Sequence, residues 1–416
     1  MKFFFPDSQD LVDPSFDFEN ETRNTFRVRQ RDDIYAHEVF SEVPYTGILV
    51  SKTSVDGIGS ERTRYSLAQK HRLLRVGVRE FFRLDAQKRE RLETIGDCGA
   101  FSYAKEPRPP FSVDEVIDFY TDCGFDYGVS IDHVIFEYDQ ALDATPDQVP
   151  DECRQRQQIT LQLADEFQSR HAARKCRFEP MGGAQGWSPD SYAHSVVELE
   201  KMGYTYIGLG GLVPLKTPDI LAVLERVAQV KKPETRLHLF GITRIKEVLN
   251  FQAFGVASFD STSPLRQAFK DDRDNYYTLD RTYTAIRVPQ IEGNASLKRR
   301  ITAGKINQDE ARELEGRCLD LLKRFDRGEA SLDETVDALR SYEELFDGKR
   351  DRSAIYREIL EHSPWKSCSC DICRDLGVHV IMFRGAERNR RRGFHNVFIF
   401  NQRLRREMSR QPATVG

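Results

Sequence analysis

No apolar run in this sequence approaches the roughly 20 residues that a membrane-spanning helix needs, which argues against an integral helical membrane protein. The opening, "MKFFFPDSQDLVDPSF", has one short apolar run that gives way at once to acids and prolines, so it lacks the form of a secretory signal. Positive charge is not in surplus either: 62 lysines and arginines stand against 66 aspartates and glutamates, a formal net charge of −4. No global basic field draws the chain onto a polyanion, and any nucleic-acid partner must be held by a local patch. Cysteine is sparse, eight in 416 residues, and five of them (Cys98, Cys123, Cys153, Cys176, Cys318) are scattered. That argues against a disulfide framework and for a reducing, cytoplasmic setting. What is present, 39% hydrophobic and 31% charged residues, is enough for one large domain or two ordinary ones.

Between about residues 120 and 270 one unit recurs: a short apolar run, a loop rich in Gly or Asp, then a helical stretch. "RFEPMGGAQGW" leads into "SPDSYAHSVVELEKMG", which opens on a Ser-Pro-Asp start signal and stops at Gly. "TYIGLGGLV", "RLHLFGI" and "VASFDST" each lead into a similar helical pattern, and "FDYGVSIDHVIF" precedes the long stretch "DECRQRQQITLQLADEFQSRHAARK". Strands alternating with helices argue for an α/β fold with a parallel sheet. With "GILVSK" and "LETIGDCGAF" upstream, the series favours a (β/α)8 barrel, with a doubly wound sheet as the alternative. The expected organisation is an N-terminal extension over 1–44 and the main part of the barrel over 45–270. A helical insertion follows over 271–366, in which "SLDETVDALRSYEELFDG" carries a Ser331/Glu334 capping pattern. A cysteine-containing, basic segment over 367–416 completes the barrel.

Where these strands should end, unusual residues gather: Asp97 before Cys98–Gly99, Asp132, Gln185, Gly210 with Gly211, and Asp260. Any one of them reads equally well as a turn former or helix cap. Several on one barrel rim point to a site, because a carboxylate at the end of a buried strand costs energy unless it is paired or used. Two carboxylates flanking a bound group suit displacement at an anomeric carbon, one attacking and the other handling the leaving group's proton. The glycines would let a flat ring approach the backbone, and Asp132 and Gln185 would read its edge. Phe101 and Tyr103, near Asp97, are candidates for stacking on a base, although core packing is the commoner role for such aromatics.

"GDCGAF", "GGAQGW", "IGLGGLV", "GVASFDSTSP" and "CSCDIC…H" occur in an order that resembles the tRNA-guanine transglycosylases. The resemblance implies a zinc-containing (β/α)8 TIM barrel that exchanges guanine for a 7-deazaguanine. It runs from about residue 45 to the C-terminus, interrupted by the helical insertion. "DCGAFS" departs from the Asp-Ser-Gly-Gly-Phe-Gln string usual in the tRNA enzymes, and "FDSTSPLR" from their Phe-Asp-Cys and Pro-Thr-Arg elements. The opening and the insertion are similar to the branch that modifies DNA, implying DNA and 7-cyano-7-deazaguanine as substrates and an ATPase-type partner protein. The resemblance further implies that Asp260 attacks C1′, Asp97 is the general acid/base, and Asp132, Gln185 and the Gly210–Gly211 backbone hold the base. The tRNA enzymes are dimers, and the insertion leaves this chain's oligomeric state open. Competing readings are the same exchange on tRNA, a non-catalytic zinc-containing DNA-binding protein, and a glycosidase that releases guanine.

Cys368, Cys370 and Cys373 supply three thiolates in six residues, the start of a tetrahedral Zn2+ site. His379 and His395 both qualify by position as the fourth ligand, and the resemblance implies His395. Four protein ligands would close the shell and make the metal structural. Residues 384–410 carry nine arginines against Glu387 and Glu407. Such a run, with Arg388, Arg390, Arg391 and Arg392 at its centre, suggests a surface for nucleic-acid phosphates, or else a solvated helix face.

Overall fold

The apolar runs bounded by glycine, proline and aspartate become strands, and the stretches with capping signals become helices. The computed structural model describes residues 1–58, 63–84, 89, 91–270, 273–348 and 350–410. They form two compact units. One comprises Met1–Gln9, Tyr45–Thr262 and Arg403–Gly416, the other Asp10–Pro44 and Ser263–Gln402.

The first unit is a closed barrel of eight strands in sequence order: β1 (Lys2–Pro6), β2 (Gly47–Ser51), β3 (Glu93–Asp97), β4 (Tyr127–Val129), β5 (Glu179–Ala184), β6 (Tyr206–Leu209), β7 (Arg236–Leu239) and β8 (Val256–Asp260). Every pairing is parallel, and β1 closes the ring on β8 with Phe4 opposite Asp260. Phe4, Leu49, Ile95, Val129, Met181 and Tyr206, one from each of the first six strands, pack into one buried cluster with Tyr127 and Phe240 against it. The lumen is therefore a packed core, and chemistry is left to the strand ends. The crossover helices start where the sequence says they should. Ser112 caps Val113–Cys123, its hydroxyl accepting from Glu115 N at 3.3 Å while the Glu115 carboxylate accepts from Ser112 N at 2.7 Å. Each such cap stabilises a helix by about 1 kcal/mol. Ser188 with Pro189 at the first helical position opens Pro189–Lys201 in the same way.

The expected extension over 1–44 needs correction, because its first residues are β1. "KFFFP" is followed by no crossover helix, only by Asp10–Pro44 of the other unit, so the βα periodicity that reveals a barrel strand is missing there. The barrel also closes without a strand from 367–416, which supplies helices and the short strand Met382–Phe383.

The second unit holds the expected helices Gln308–Arg327 and Leu332–Phe346, the latter capped by Ser331, whose hydroxyl accepts from Glu334 N at 3.2 Å. With them are Ala295–Thr302, Ser353–His362 and the helix Gly385–Ser409 as far as Gln402. The helical insertion, the cysteine-containing segment and residues 10–44 thus make one body rather than separate domains. Among the described residues no helix is long and apolar enough to cross a membrane.

Candidate active site and metal centre

Barrel geometry puts the last residues of parallel strands on one rim, and the two carboxylates expected to react are such residues. Asp260 ends β8 and is 7% exposed. Its Oδ1 accepts from Gly241 N at 3.1 Å and lies 3.2 Å from His238 Nε2. Asp97 ends β3, where Ser51, its register partner at the end of β2, donates its hydroxyl to Asp97 Oδ2 at 2.8 Å. Burial pushes the Asp97 carboxyl up to about 7, and the charges of Asp132 and then Asp260 add to the rise, against the Ser51 hydroxyl and the Gly99 amide. Asp97 thus feels the charges of the other two carboxylates, which puts the three in one site. A group poised near neutral pH can give a proton and take it back.

The remaining expected residues assemble beside them. Asp132 lies just beyond β4 and is buried. Its Oδ2 accepts from Gln185 Nε2 at 2.5 Å and its Oδ1 from Cys98 Sγ at 3.3 Å. Burial raises its carboxyl as well, opposed by those two hydrogen bonds. Gln185, immediately after β5, accepts from Ile135 N through Oε1 at 3.2 Å, and its main-chain carbonyl is held by Ser195 and Gln157. Gly210 follows β6, donates to Ala184 O at 3.0 Å and accepts the Tyr192 hydroxyl at 2.7 Å. A Cβ on Gly210 would stand 2.1 Å from Gln185 Nε2, so only glycine leaves that amide in place. Gly211 has φ +75°, a conformation that favours glycine.

Cys98 and His238 take parts in the site that the sequence reading does not assign them, and the two aromatics near Asp97 divide. Cys98, which the sequence offers only as a scattered cysteine and as the neighbour of Asp97, bonds Asp132 and accepts the Tyr103 hydroxyl at 3.0 Å. Tyr103 is fully buried and its hydroxyl also lies 3.0 Å from Asp132 O, so that its one proton is shared between the two acceptors and it braces the site instead of stacking on a ligand. Phe101, by contrast, is 67% exposed and meets Phe136 edge to face at 5.5 Å. His238 is a polar residue in the middle of the apolar strand "RLHLFGI", a signal that was available in the sequence.

The family model described as Queuine tRNA-ribosyltransferase matches residues 108–312. The DNA-guanine transglycosylase of Salmonella montevideo is 49% identical over 413 residues, covering 98% of each chain. The chain belongs to this family of guanine transglycosylases. It is an enzyme of the branch that holds the Salmonella protein, and its reaction is guanine exchange on nucleic acid.

The second unit of the transglycosylase brings Cys368, Cys370, Cys373 and His395 together, with one donor atom from each within 4.8 Å of all the others. The Cys370 and Cys373 sulfurs lie 3.3 Å and the Cys368 sulfur 3.8 Å from His395 Nδ1. Such spacing suits a tetrahedral ion ringed by three thiolates and an imidazole. His395 Nε2 faces Tyr277 O at 2.8 Å and so carries its proton there, freeing Nδ1 for a metal. Tyr276 stacks on the imidazole at 4.4 Å and 11°. His379 stands elsewhere, 3.2 Å from Glu19 and 3.2 Å from an Arg388 nitrogen.

The arginine run needs correction. Arg388 pairs with Glu21 and donates to Phe18 O, Arg391 pairs with Glu387, and Arg392, 0% exposed, is spent on the carbonyls of Met382 and Ala268 and on Asn389. Arg390 is half-buried, 3.5 Å from Asp10. The buried guanidiniums of Arg388, Arg391 and Arg392, engaged in this way, have no face to offer a phosphate. The ion partners of Arg388 and Arg390, Glu21 and Asp10, come from the acid-rich segment 10–44, so two stretches read separately in the sequence supply each other's counter-ions there.

Proposed function

We propose that this transglycosylase replaces guanine in DNA with a 7-deazaguanine, 7-cyano-7-deazaguanine, through a covalent aspartyl-glycosyl intermediate. The observation that carries this reading is the pair of rim carboxylates. Among the described residues Asp260 is held through one oxygen only, and Asp97 is tuned by its surroundings to about 7. Asp260 Oδ2 attacks C1′ as the C1′–N9 bond breaks, and Asp97 supplies the proton that the departing guanine takes up. Asp97 then accepts the proton of the incoming base, whose N9 displaces Asp260. Two displacements at one carbon retain the sugar's configuration. Asp132, Gln185 and the Gly210–Gly211 backbone hold the base by its edge, and the exposed ring of Phe101 offers a stacking face. A duplex guanine must leave the stack to reach such a rim.

The Cys3His cluster would hold a zinc ion. Its four protein ligands close the coordination shell, so the metal would shape the second unit without activating water. For the phosphates, the barrel unit offers the helix Leu67–Phe81 and the turn before it, where Arg64, His71 and Arg75 are exposed. His71 and Arg75 are four residues apart on one helix face.

The match to the Queuine tRNA-ribosyltransferase family model favours a second reading, the same exchange on tRNA. Incubation with labelled 7-cyano-7-deazaguanine and either duplex DNA or tRNA separates them: label in DNA is expected, and label confined to tRNA would overturn the DNA assignment. An ATPase-type partner is part of the proposal and is tested by its effect on that labelling.

A further inference from the structure

Beneath Asp260 a buried polar chain crosses the barrel core. His238 on β7 is 0% exposed, walled by the rings of Phe240 at 4.6 Å and Phe4 at 6.1 Å. Its two ring nitrogens each face one polar partner: Nε2 lies 3.2 Å from Asp260 Oδ1 and Nδ1 lies 2.6 Å from Ser258 Oγ. Ser258, also fully buried, is in turn bonded to the hydroxyl of Tyr206 on β6. Four polar groups in an apolar lumen are costly unless each is satisfied, and here each is.

The chain has one consistent direction when Asp260 is a carboxylate and the His238 ring is neutral, because a carboxylate only accepts and a neutral imidazole has one donor. His238 must then carry its proton on Nε2 and donate it to Oδ1. Its Nδ1 is left as an acceptor, so the Ser258 hydroxyl donates there and accepts from Tyr206. Burial drives the Tyr206 phenol upward and keeps it a donor. With Gly241 N on the same oxygen, both hydrogen bonds fall on Oδ1.

We infer that Tyr206, Ser258 and His238 form a positioning relay that fixes the imidazole tautomer and reserves Asp260 Oδ2 as the attacking oxygen. This rests on the proposed role of Asp260 as nucleophile. The relay moves no proton during the reaction. It holds Oδ1 as the Oδ2–C1′ bond forms, and it stabilises the carboxylate when that bond breaks in the second displacement.

A purely space-filling role for the imidazole and this relay predict opposite rankings of two variants. His238→Phe keeps a flat ring and loses the donor. His238→Gln loses the ring and can place an amide N–H where Nε2 stands. Steady-state exchange of labelled guanine into the polymer that the wild-type enzyme labels would be measured on the full chain, with kcat and KM for guanine separated. The relay predicts that His238→Phe lowers kcat by roughly 10- to 100-fold, the usual effect of losing one hydrogen bond to a charged group, with KM held. It also predicts that His238→Gln recovers most of that loss. A wild-type kcat in His238→Phe, or His238→Gln falling below it, overturns the relay. If His238→Phe melts below the assay temperature, Ser258→Ala carries the test: a fall in kcat with KM held supports the relay, and a wild-type kcat overturns it. Asp260→Ala is assayed alongside. Exchange surviving there removes the nucleophile itself, whereas its loss there with an undiminished rate in His238→Phe removes only the relay.

Discussion

Gln185 Nε2 lies 2.5 Å from Asp132 Oδ2, so the two side chains proposed to read a base hold each other. A purine that offers its own N–H to Asp132 must displace that amide, and Gln185 is then free to donate to an acceptor on the same ring. The network around them is closed: Cys98 holds the other Asp132 oxygen and Ile135 N holds the Gln185 carbonyl. Such a pocket keeps its shape while exchanging one internal bond for bonds to a ligand.

Gly210→Ala tests that geometry. The added methyl would collide with Gln185 Nε2 and come within 3.3 Å of Asp132 Oδ2. KM for the incoming base should rise about 10-fold or more, the loss of one good hydrogen bond to a charged group, while circular dichroism shows the fold retained. A base KM equal to wild type would remove this pair from recognition.

Asp97 gives a pH prediction. Its folded pKa is raised to about 7, above the ordinary value near 3.9 that it has in the unfolded chain. Between those values the folded state binds the extra proton, so its contribution to stability is fully present below about pH 4 and is lost as pH rises through 7. Asp97→Asn removes a charge the fold must bury. It should stabilise the protein by about 1–2 kcal/mol at pH 8 and leave it unchanged near pH 4, as thermal melts at the two pH values would show, while exchange activity is lost. Equal melting shifts at both pH values would contradict the assignment.

The metal centre predicts a separable pattern. Cys373→Ser and His395→Ala should lose bound zinc and melt at lower temperature, since a structural metal contributes directly to folding. His379→Ala, removing a residue outside the cluster, should keep its zinc. Elemental analysis of the purified variants decides, and zinc lost from His379→Ala would undo the ligand assignment.

For the arginines the outcome should split by burial. Arg392→Met removes a guanidinium that serves main-chain carbonyls and should destabilise the protein by about 1–3 kcal/mol, without changing how DNA binding depends on salt. Arg75→Glu should leave stability within about 0.5 kcal/mol and lower the salt slope of binding. The reverse pattern would restore the C-terminal run as the phosphate surface.

The barrel and its rim were legible because seven of the eight strands are apolar runs that open βα units, and Asp97 and Asp260 end two of those runs. β1 was not legible: "KFFFP" looks like an isolated apolar patch, and its partner β2 is reached only after a detour through the other unit. The arginines were misread for a related reason. Composition reports charge, but not that Glu21 and Asp10, hundreds of positions upstream, lie against them. His238 is visible in the sequence as a lone polar residue in an apolar strand, but its part in the site follows only from its two partners, Asp260 and Ser258.

The most direct measurement is peptide mass spectrometry after rapid denaturation of the enzyme incubated with guanine-containing duplex DNA and no incoming base. A sugar adduct on the peptide that contains Asp260, absent in Asp260→Ala, is the predicted result. Guanine exchange that proceeds with the adduct on the Asp97 peptide, or with Asp260→Ala as active as wild type, would contradict it.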